Sequence, residues 1–376
     1  MGCIMQTKDK KEILAIAICG LITGAIAVAL VAFGNPANMG FCIACFLRDT
    51  AGALKLHNAG VVQYIRPEII GLVLGSLAMA LINREFAPKG GSAPLTRFVL
   101  GFFVMIGCLA FLGCPFRMIL RLSAGDLNAL VALVGFICGI LTGIFFLKRG
   151  FSLGRSYKQP VTDGISFSVI QVILLILLIA APAFIAFSES GPGSKHAALA
   201  ISLVAGLAVG CMAQRTRLCM VGATRDLVLF GEKKLFIGFA AIFVAALIGN
   251  IATSRFHLGF EQIGMVAHSD HVWNFLGLYL AGFGCVLLGG CPLRQLILAG
   301  EGNSDSAVTV LGLVIGAAFS HNFGLAGAAA SKAEDGTIKA GGVSTAGRVA
   351  VIIGIAVVLL IAVINTFLKK NTKKEA

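Results

Sequence analysis

The sequence predicts an all-α polytopic membrane protein with an inverted internal repeat, about ten transmembrane helices and four re-entrant or half-spanning helices. Of its 376 residues, 58% are hydrophobic and only 12% are charged, about half the roughly 25% of an ordinary soluble domain. Apolar runs of about 20 residues, the length that crosses a bilayer, recur along the chain. The motif Gly-Cys-Pro-Phe-Arg at 113–117 returns as Gly-Cys-Pro-Leu-Arg at 290–294, an offset of 177 in the numbering.

Further residues repeat at nearly the same offset, which indicates an internal duplication. The pairs at the offset of 177 are Cys42 and Cys219, Arg48-Asp49 and Arg225-Asp226, Cys108 and Cys285, and Cys114 and Cys291. Those at an offset of 167 are Gly71 and Gly238, and Asn83 and Asn250. Gly139, Gly143 and Phe146 are paired with Gly312, Gly316 and Phe319 at an offset of 173.

Each unit is expected to contain four spanning helices and to be followed by one further helix. In the first unit we expect spanning helices at about 13–33, 66–83, 97–112 and 127–147, after a basic tail at 1–12. The helices that follow the two units are expected at 165–187 and 348–368. Half-spanning segments are expected at Met39–Leu54 and Cys114–Ser123, and again near Cys219 and Cys291, because charged or helix-breaking residues interrupt the apolar sequence there.

The predicted organisation is a first repeat at 1–164, a connecting helix and turn at 165–196, a second repeat at 197–345, and a final helix with a basic tail at 346–376. Five crossings separate equivalent points of the two repeats. Because five is odd, the repeats are expected to be inverted, as in many secondary transporters.

Most of the 30 Lys and Arg residues fall on the face that this topology assigns to both termini. The positive-inside rule therefore places both termini in the cytoplasm and the protein in a bacterial-type inner membrane. The same rule accounts for the net charge of +13 without nucleic acid as a partner. The first apolar run is longer than a signal-peptide core, so no cleaved signal is expected.

The cysteines of the duplicated elements are the leading candidates for a functional site. A proline suits the first position of a helix, so Cys114 and Cys291 should cap short helices whose N-termini carry partial positive charge. Cys42 and Cys219 occupy the second pair of duplicated positions. The alternative is that each is a small buried hydrophobe, the interpretation we prefer for Cys108 and Cys285. In either case free thiols are expected rather than disulfides.

Two arginines follow these cysteines within apolar sequence, where a charge is expensive and usually functional. Arg117 and Arg294 are expected to attract an anion; the alternative is that they cap neighbouring carbonyl groups. For Arg48-Asp49 and Arg225-Asp226 we favour local ion pairing that anchors the short helices.

Two other groups of residues suggest weaker sites. Cys42 and Cys45 form a Cys-x-x-Cys pair suited to redox chemistry, but Gly222 stands where Cys45 would repeat. The run His268-Ser269-Asp270-His271 lacks the cysteine partners of a zinc site. We therefore expect no metal, no cofactor and no catalytic residues.

The paired Gly-Cys-Pro-x-Arg elements, the Gly40-Phe41-Cys42 element and the duplicated ten-helix plan resemble the YeeE/YedE family of sulfur-compound transport proteins. The resemblance covers nearly the whole chain. It implies import of thiosulfate along central cysteines, here Cys42, Cys114 and Cys291, with Cys219 as the fourth repeat-related position. The chain length and the Cys-x-x-Cys form are similar to the YedE branch linked to selenium metabolism.

The expected function is therefore a permease, not an enzyme, that imports a small sulfur or selenium anion past Cys42, Cys45, Cys114, Cys219, Cys291, Arg117 and Arg294. The expected partners are this anion, the lipid bilayer and a cytoplasmic sulfur or selenium carrier protein. The alternative is a membrane thiol enzyme or chalcogen carrier that forms persulfide or selenosulfide intermediates. Arg117 is expected to guard the outer access and Arg294 the exit, with Lys partly replacing either.

Overall fold

The computed structural model describes residues 2–261, 265–332 and 338–368, and these are almost entirely helical. The long helices are α1 (Gly2–Ala32), α3 (Pro67–Ile82), α4 (Pro94–Ala110), α6 (Leu127–Lys148), α7 (Val161–Ala180), α9 (Leu199–Thr216), α11 (Lys234–Ala252), α12 (His271–Leu288), α14 (Ser304–Asn322) and α15 (Thr345–Val363), which continues into a π-helical turn at Ile364–Leu368. The short helices are α2 (Ile43–Ala53), α5 (Pro115–Ser123), α8 (Gly191–Ser194), α10 (Met220–Phe230) and α13 (Pro292–Gly300).

Four two-residue strands complete the secondary structure of the described residues. They form two antiparallel pairs, β1 (Lys89–Gly90) with β2 (Tyr157–Lys158), and β3 (Ser331–Lys332) with β4 (Ile338–Lys339). Each pair joins loops outside the helical bundle.

Nine segments of the described chain are long and apolar enough to cross a membrane. The helix α3, with 16 residues, is apolar but shorter. Together they correspond to the ten predicted helices, and the all-α polytopic class is confirmed. The outer faces of the bundle are apolar, with exposed side chains that include Leu14, Leu21, Ile173, Ile176, Ile352 and Leu360, as expected for a surface in contact with lipid.

The helix α1 begins at Gly2, and its apolar part, Lys10–Ala32, agrees with the predicted spanning helix at about 13–33. One predicted helix is displaced. The helix α7 spans Val161–Ala180 instead of 165–187. It ends earlier because Ala181 adopts a left-handed conformation with φ 43°, and the proline that follows cannot continue the helix.

Helix packing follows the predicted duplication. The helix α1 packs against α11, and its counterpart α9 packs against α3. Likewise α6 packs against α12, and its counterpart α14 packs against α4. The equivalent helices α4 and α12 pack against each other at the centre. Exchanging the two units therefore leaves this set of helix contacts unchanged, whereas their inversion relative to the membrane stays a prediction.

Glycines permit the close approach of α4 and α12. A Cβ placed on Gly107 would lie 2.4 Å from the Gly277 carbonyl oxygen. A Cβ on Gly284, the counterpart of Gly107 in the second unit, would lie 2.6 Å from a methyl group of Val104 and close to the Leu100 carbonyl oxygen. Since Leu100 and Gly277 are counterparts as well, the two contacts are equivalent.

The same comparison corrects one predicted offset. Gly139 packs against the Tyr279 carbonyl group, and Gly316 packs against the Phe102 carbonyl group. Gly139 and Gly316 are separated by the same offset as the cysteine pairs, and so are Phe102 and Tyr279. The predicted pairing of α6 with α14 at an offset of 173 is therefore wrong by about one helical turn. Glycines recur every fourth residue in α6, which lets the pattern match itself after a shift of one turn.

Replacing Gly107 by alanine should destabilise the bundle because the added methyl group would collide with backbone. We expect a cost of about 1–3 kcal/mol, typical of overpacking. The unfolding temperature in detergent would be compared with that of Gly60→Ala, where a Cβ meets nothing within 4 Å. Equal unfolding temperatures for the two variants would show that this helix crossing is not tightly packed.

Candidate functional site

Each of four short helices begins at a cysteine. Cys42 caps α2, and its sulfur accepts the backbone N–H of Cys45 at 3.4 Å. Cys219 caps α10, and its sulfur accepts the backbone N–H of Gly222 at 3.3 Å. A thiol thereby takes the position that Ser, Thr or Asp usually fills at a helix N-terminus.

Cys114 and Cys291 are the N-cap residues of α5 and α13, as predicted. Both have extended backbone conformations, and Pro115 and Pro292 follow as the first helical residues. All four capping cysteines are buried, with Cys219 the most exposed at 5%.

The first thiol cluster, Cys42, Cys45 and Cys114, lies where the N-termini of α2 and α5 converge. The thiol of Cys42 lies close enough to those of Cys45 and Cys114 to interact with both. The backbone N–H groups of Ala44 and Arg117 face the sulfur of Cys114. Both helix N-termini therefore direct N–H donors and partial positive charge toward the same group of sulfur atoms.

The second thiol cluster, Cys219 and Cys291, repeats this arrangement at the N-termini of α10 and α13. The two thiols lie close enough to interact with each other. Backbone N–H groups of Gly222 and Cys291 face the sulfur of Cys219. Because Gly222 replaces the second cysteine of the Cys-x-x-Cys pair, this cluster has two thiols instead of three.

Cys108 and Cys285 lie between the clusters, at the packed centre formed by α4 and α12. Cys108 is within electrostatic range of Cys42, Cys45 and Cys285. Cys285 is likewise within range of Cys219. Sequence reasoning assigns these two residues to packing alone, although their equivalent places in the repeat are a signal that they share the symmetry of the site.

Arg117 is fully buried beside the first thiol cluster. Its guanidinium donates to the carbonyl of Leu112, to the Asn38 carbonyl at 3.3 Å, and to the Cys45 sulfur at 4.0 Å. Within the described residues its Nη2 atom has no hydrogen-bond partner. Arg117 thus caps carbonyl groups, the alternative to anion attraction, while keeping one donor nitrogen available.

Arg294 differs from its counterpart. Its Nη1 atom lies 3.0 Å from Glu301 Oε1, so an ion pair balances its charge. In the first unit the position of Glu301 is occupied by Ala124, which offers no carboxylate. The two arginines are therefore not equivalent, because only Arg294 carries this counter-ion.

The Arg-Asp pairs anchor their helices to different degrees. Asp49 is fully buried and is held at 2.7 Å by both Arg48 and Arg66. Asp226 is paired with Arg225 at 2.7 Å, and their side chains are 16% and 24% exposed. Both pairs form within one helix, as the local ion pairing favoured from sequence requires.

The remaining candidates have structural roles in the described chain. Its ten described cysteines are free thiols, as predicted. His268 Nε2 donates to the Ala110 carbonyl at 2.7 Å, and Asp270 lies 3.2 Å from Arg348. Burial lowers the pKa of His268, and the positive charge of Arg121 contributes in the same direction. Within the described residues no group of three or more His, Cys, Asp or Glu is arranged to hold a metal.

A helical bundle that encloses polar helix N-termini and thiols at its centre defines a polytopic membrane protein. Residues 215–376 match the family model for sulphur transport. A segment of 104 residues is 28% identical to the thiosulfate transporter TsuA of Escherichia coli strain K12, covering 27% of this chain and 28% of that protein. Another of 115 residues is 31% identical to the thiosulfate transporter TsuA of Spirochaeta thermophila, covering 31% of this chain and 34% of that protein.

These matches confirm the predicted resemblance to the YeeE/YedE family of sulphur-transport proteins. The aligned segments span about a third or less of the length of each relative. The family model matches the C-terminal part of the chain, which holds the second thiol cluster.

Arg117 and Arg294 should respond differently to substitution. In Arg117→Lys the compact ammonium cannot reach two carbonyls and a thiol together, so we expect uptake of the transported anion to lose about tenfold in apparent affinity. Arg294→Lys keeps an ion pair with Glu301 and should lose little. Gln at position 117 should abolish uptake. The measurement is the concentration dependence of thiosulfate uptake at equal expression, and equal effects at the two positions would contradict the asymmetry.

Proposed function

We propose that this protein is a permease that imports a small sulfur-containing anion, thiosulfate in the first instance, past the two thiol clusters. The observation that carries the proposal is that helix N-termini converge twice on buried cysteines. The family match and the names of the two relatives support the same substrate class. A selenium-bearing anion of similar size is included, because its soft chalcogen would meet the same groups.

The geometry suits a dehydrated anion that must bind briefly and leave. Backbone N–H groups and the free nitrogen of Arg117 would offset the loss of hydration. Protonated thiols are weak donors, so they contact the anion without trapping it. Conduction needs such weak binding spread over several sites. Thiolates would repel the anion, and we therefore expect the thiols to be protonated during passage.

The membrane orientation that goes with this function is the one predicted from charge. Both termini would face the cytoplasm of a bacterial-type cell, in its inner membrane. The anion would then reach a cytoplasmic sulfur or selenium carrier protein after release.

A second candidate function is suggested by the contact between the thiols of Cys42, Cys45 and Cys114. A thiol that loses its proton can attack the outer sulfur of thiosulfate, forming a persulfide and releasing sulfite, as a covalent carrier would require. A serine hydroxyl cannot form this bond. A carrier should therefore lose all activity in every Cys→Ser variant, whereas a permease should retain flux at positions where only a polar contact matters.

Replacing Cys114 or Cys291 by alanine should abolish uptake while the protein still inserts, because each variant removes one thiol from a pair at a helix N-terminus. Labelled thiosulfate, selenite and sulfate would be supplied to liposomes containing the purified protein, each in competition with the others. Cys108→Ala and Cys285→Ala are matched controls, since both remove buried thiols that cap no helix. Near-normal uptake by Cys114→Ala or Cys291→Ala would refute the proposed role of the clusters.

A further inference from the structure

A cavity of about 730 Å³ lies next to the second thiol cluster, on the side of the bundle that holds the start of α1 and the end of α9. Its lining is charged and includes Arg217, Asp226 and Lys234, together with Leu235 of α11. Arg217 ends α9 in a left-handed conformation and precedes Cys219 by two residues. The cavity is therefore joined directly to the segment that positions the second cluster.

Only a glycine separates the Cys219 side chain from residues that line this cavity. A Cβ placed on Gly222 would lie 2.7 Å from Leu235 Cδ1, 3.2 Å from Cys219 Cβ and 3.6 Å from Asp226 Oδ2. Leu235 and Asp226 both belong to the cavity wall. Gly222 thus lies between the thiol and the wall of the cavity, and the Leu235 side chain packs directly against it.

The carboxylate at this point is held by a single cation. Arg225 Nε donates to Asp226 Oδ1 at 2.7 Å, while Oδ2 is the oxygen that faces Gly222. Arg225 also donates to the Gly289 carbonyl at 3.3 Å, two residues before Cys291. The Arg225 charge is within electrostatic range of Cys219. The Arg225 guanidinium therefore contacts the cavity-lining aspartate and the segment that precedes Cys291.

The first unit is sealed at the corresponding place. The Cys45 side chain occupies the position of Gly222, and Asp49 is held by Arg48 and Arg66 with all three residues almost completely buried. The counterpart of Arg66 is Lys233, the residue that precedes α11 as Arg66 precedes α3. Within the described residues Lys233 forms no ion pair with Asp226, so the second pair has one cation where the first has two.

We propose that Gly222, Asp226 and Leu235 form an aperture between the second thiol cluster and the cavity, which opens when the Leu235 side chain moves away from Gly222. A small oxyanion that leaves Cys219 and Cys291 binds Arg225 in exchange for Asp226 before it enters the cavity. The exchange rests on the proposed function, whereas the aperture itself does not. A partly exposed ion pair can be exchanged at low cost, while removing one partner from the buried pair of the first unit would leave an uncompensated charge.

Varying the size of the side chain at position 222 tests the aperture. Gly222→Ala should lower thiosulfate uptake only a few-fold, since the end of the Leu235 side chain can move aside. Gly222→Val should lower it about tenfold or more, as overpacking would. The double variant Gly222→Val with Leu235→Ala restores room and should recover part of the rate. Unchanged uptake by a folded Gly222→Val protein, or failure of the double variant to recover while folded, would overturn the aperture.

The exchange at Arg225 is tested by separating affinity from rate. Asp226→Asn removes the competing carboxylate, so the anion should bind more tightly and leave more slowly. The expected result is that KM and the maximal uptake rate both fall, by about fivefold. Asp49→Asn is the matched control and should reduce the amount of folded protein instead. An Asp226→Asn variant that folds with an unchanged KM would overturn the exchange.

A third measurement does not depend on transport. In sealed vesicles of either orientation, a membrane-impermeant thiol reagent should label Gly222→Cys only from the side that holds the cavity. Mass spectrometry of the labelled peptides separates position 222 from Cys219, with the wild type as background. One-sided labelling would support the aperture even if the wild-type protein transported no thiosulfate. Absence of labelling from both sides of a folded variant would overturn it.

Discussion

The structure depends on satisfying helix N-termini that lie inside the bundle. The first turn of any helix leaves N–H groups without intrahelical partners, and a lipid interior provides no water to bind them. Here α2, α5, α10 and α13 begin within the protein, and each begins at a buried cysteine. Sulfur is a weak acceptor, so these helix ends retain an electrostatic attraction for anions, which a carboxylate cap would cancel.

Placing four interrupted segments inside a bundle requires the long helices to pack closely around them. Glycines bring α4 and α12 into backbone contact and repeat the same approach between α6 and α12 and between α4 and α14. The resulting scaffold is nearly symmetric, yet the groups it holds are not. Arg117 keeps a free donor nitrogen, whereas Arg294 is paired with Glu301, and Cys45 is matched by a glycine. The packing of the helices is therefore nearly symmetric, whereas the charged and thiol groups that the two units hold are different.

The repeated Gly-Cys-Pro-x-Arg motif is enough to predict the helix starts at Cys114 and Cys291, because a proline after a capping residue is a local signal. The ten long helices can likewise be predicted from the apolar runs. The partner of Arg294 cannot be predicted in this way, because Glu301 lies at the far end of α13 and no local rule joins the two residues. In the sequence, Gly222 is recognised only as the residue that replaces a cysteine of the first unit. Its position between Cys219 and Leu235 depends on how α10 packs against α11. The start of α7 is misplaced from sequence because polar residues of its first turn resemble a linker.

The short helix α3 has a consequence for the membrane itself. Its 16 residues extend about 24 Å, several ångströms less than the roughly 30 Å hydrocarbon core of a typical bilayer. It packs against α9, which has 18 residues. Lipid in contact with α3 would have to thin locally to match its length, at a modest elastic cost per ångström. A membrane with shorter acyl chains would match this helix more closely.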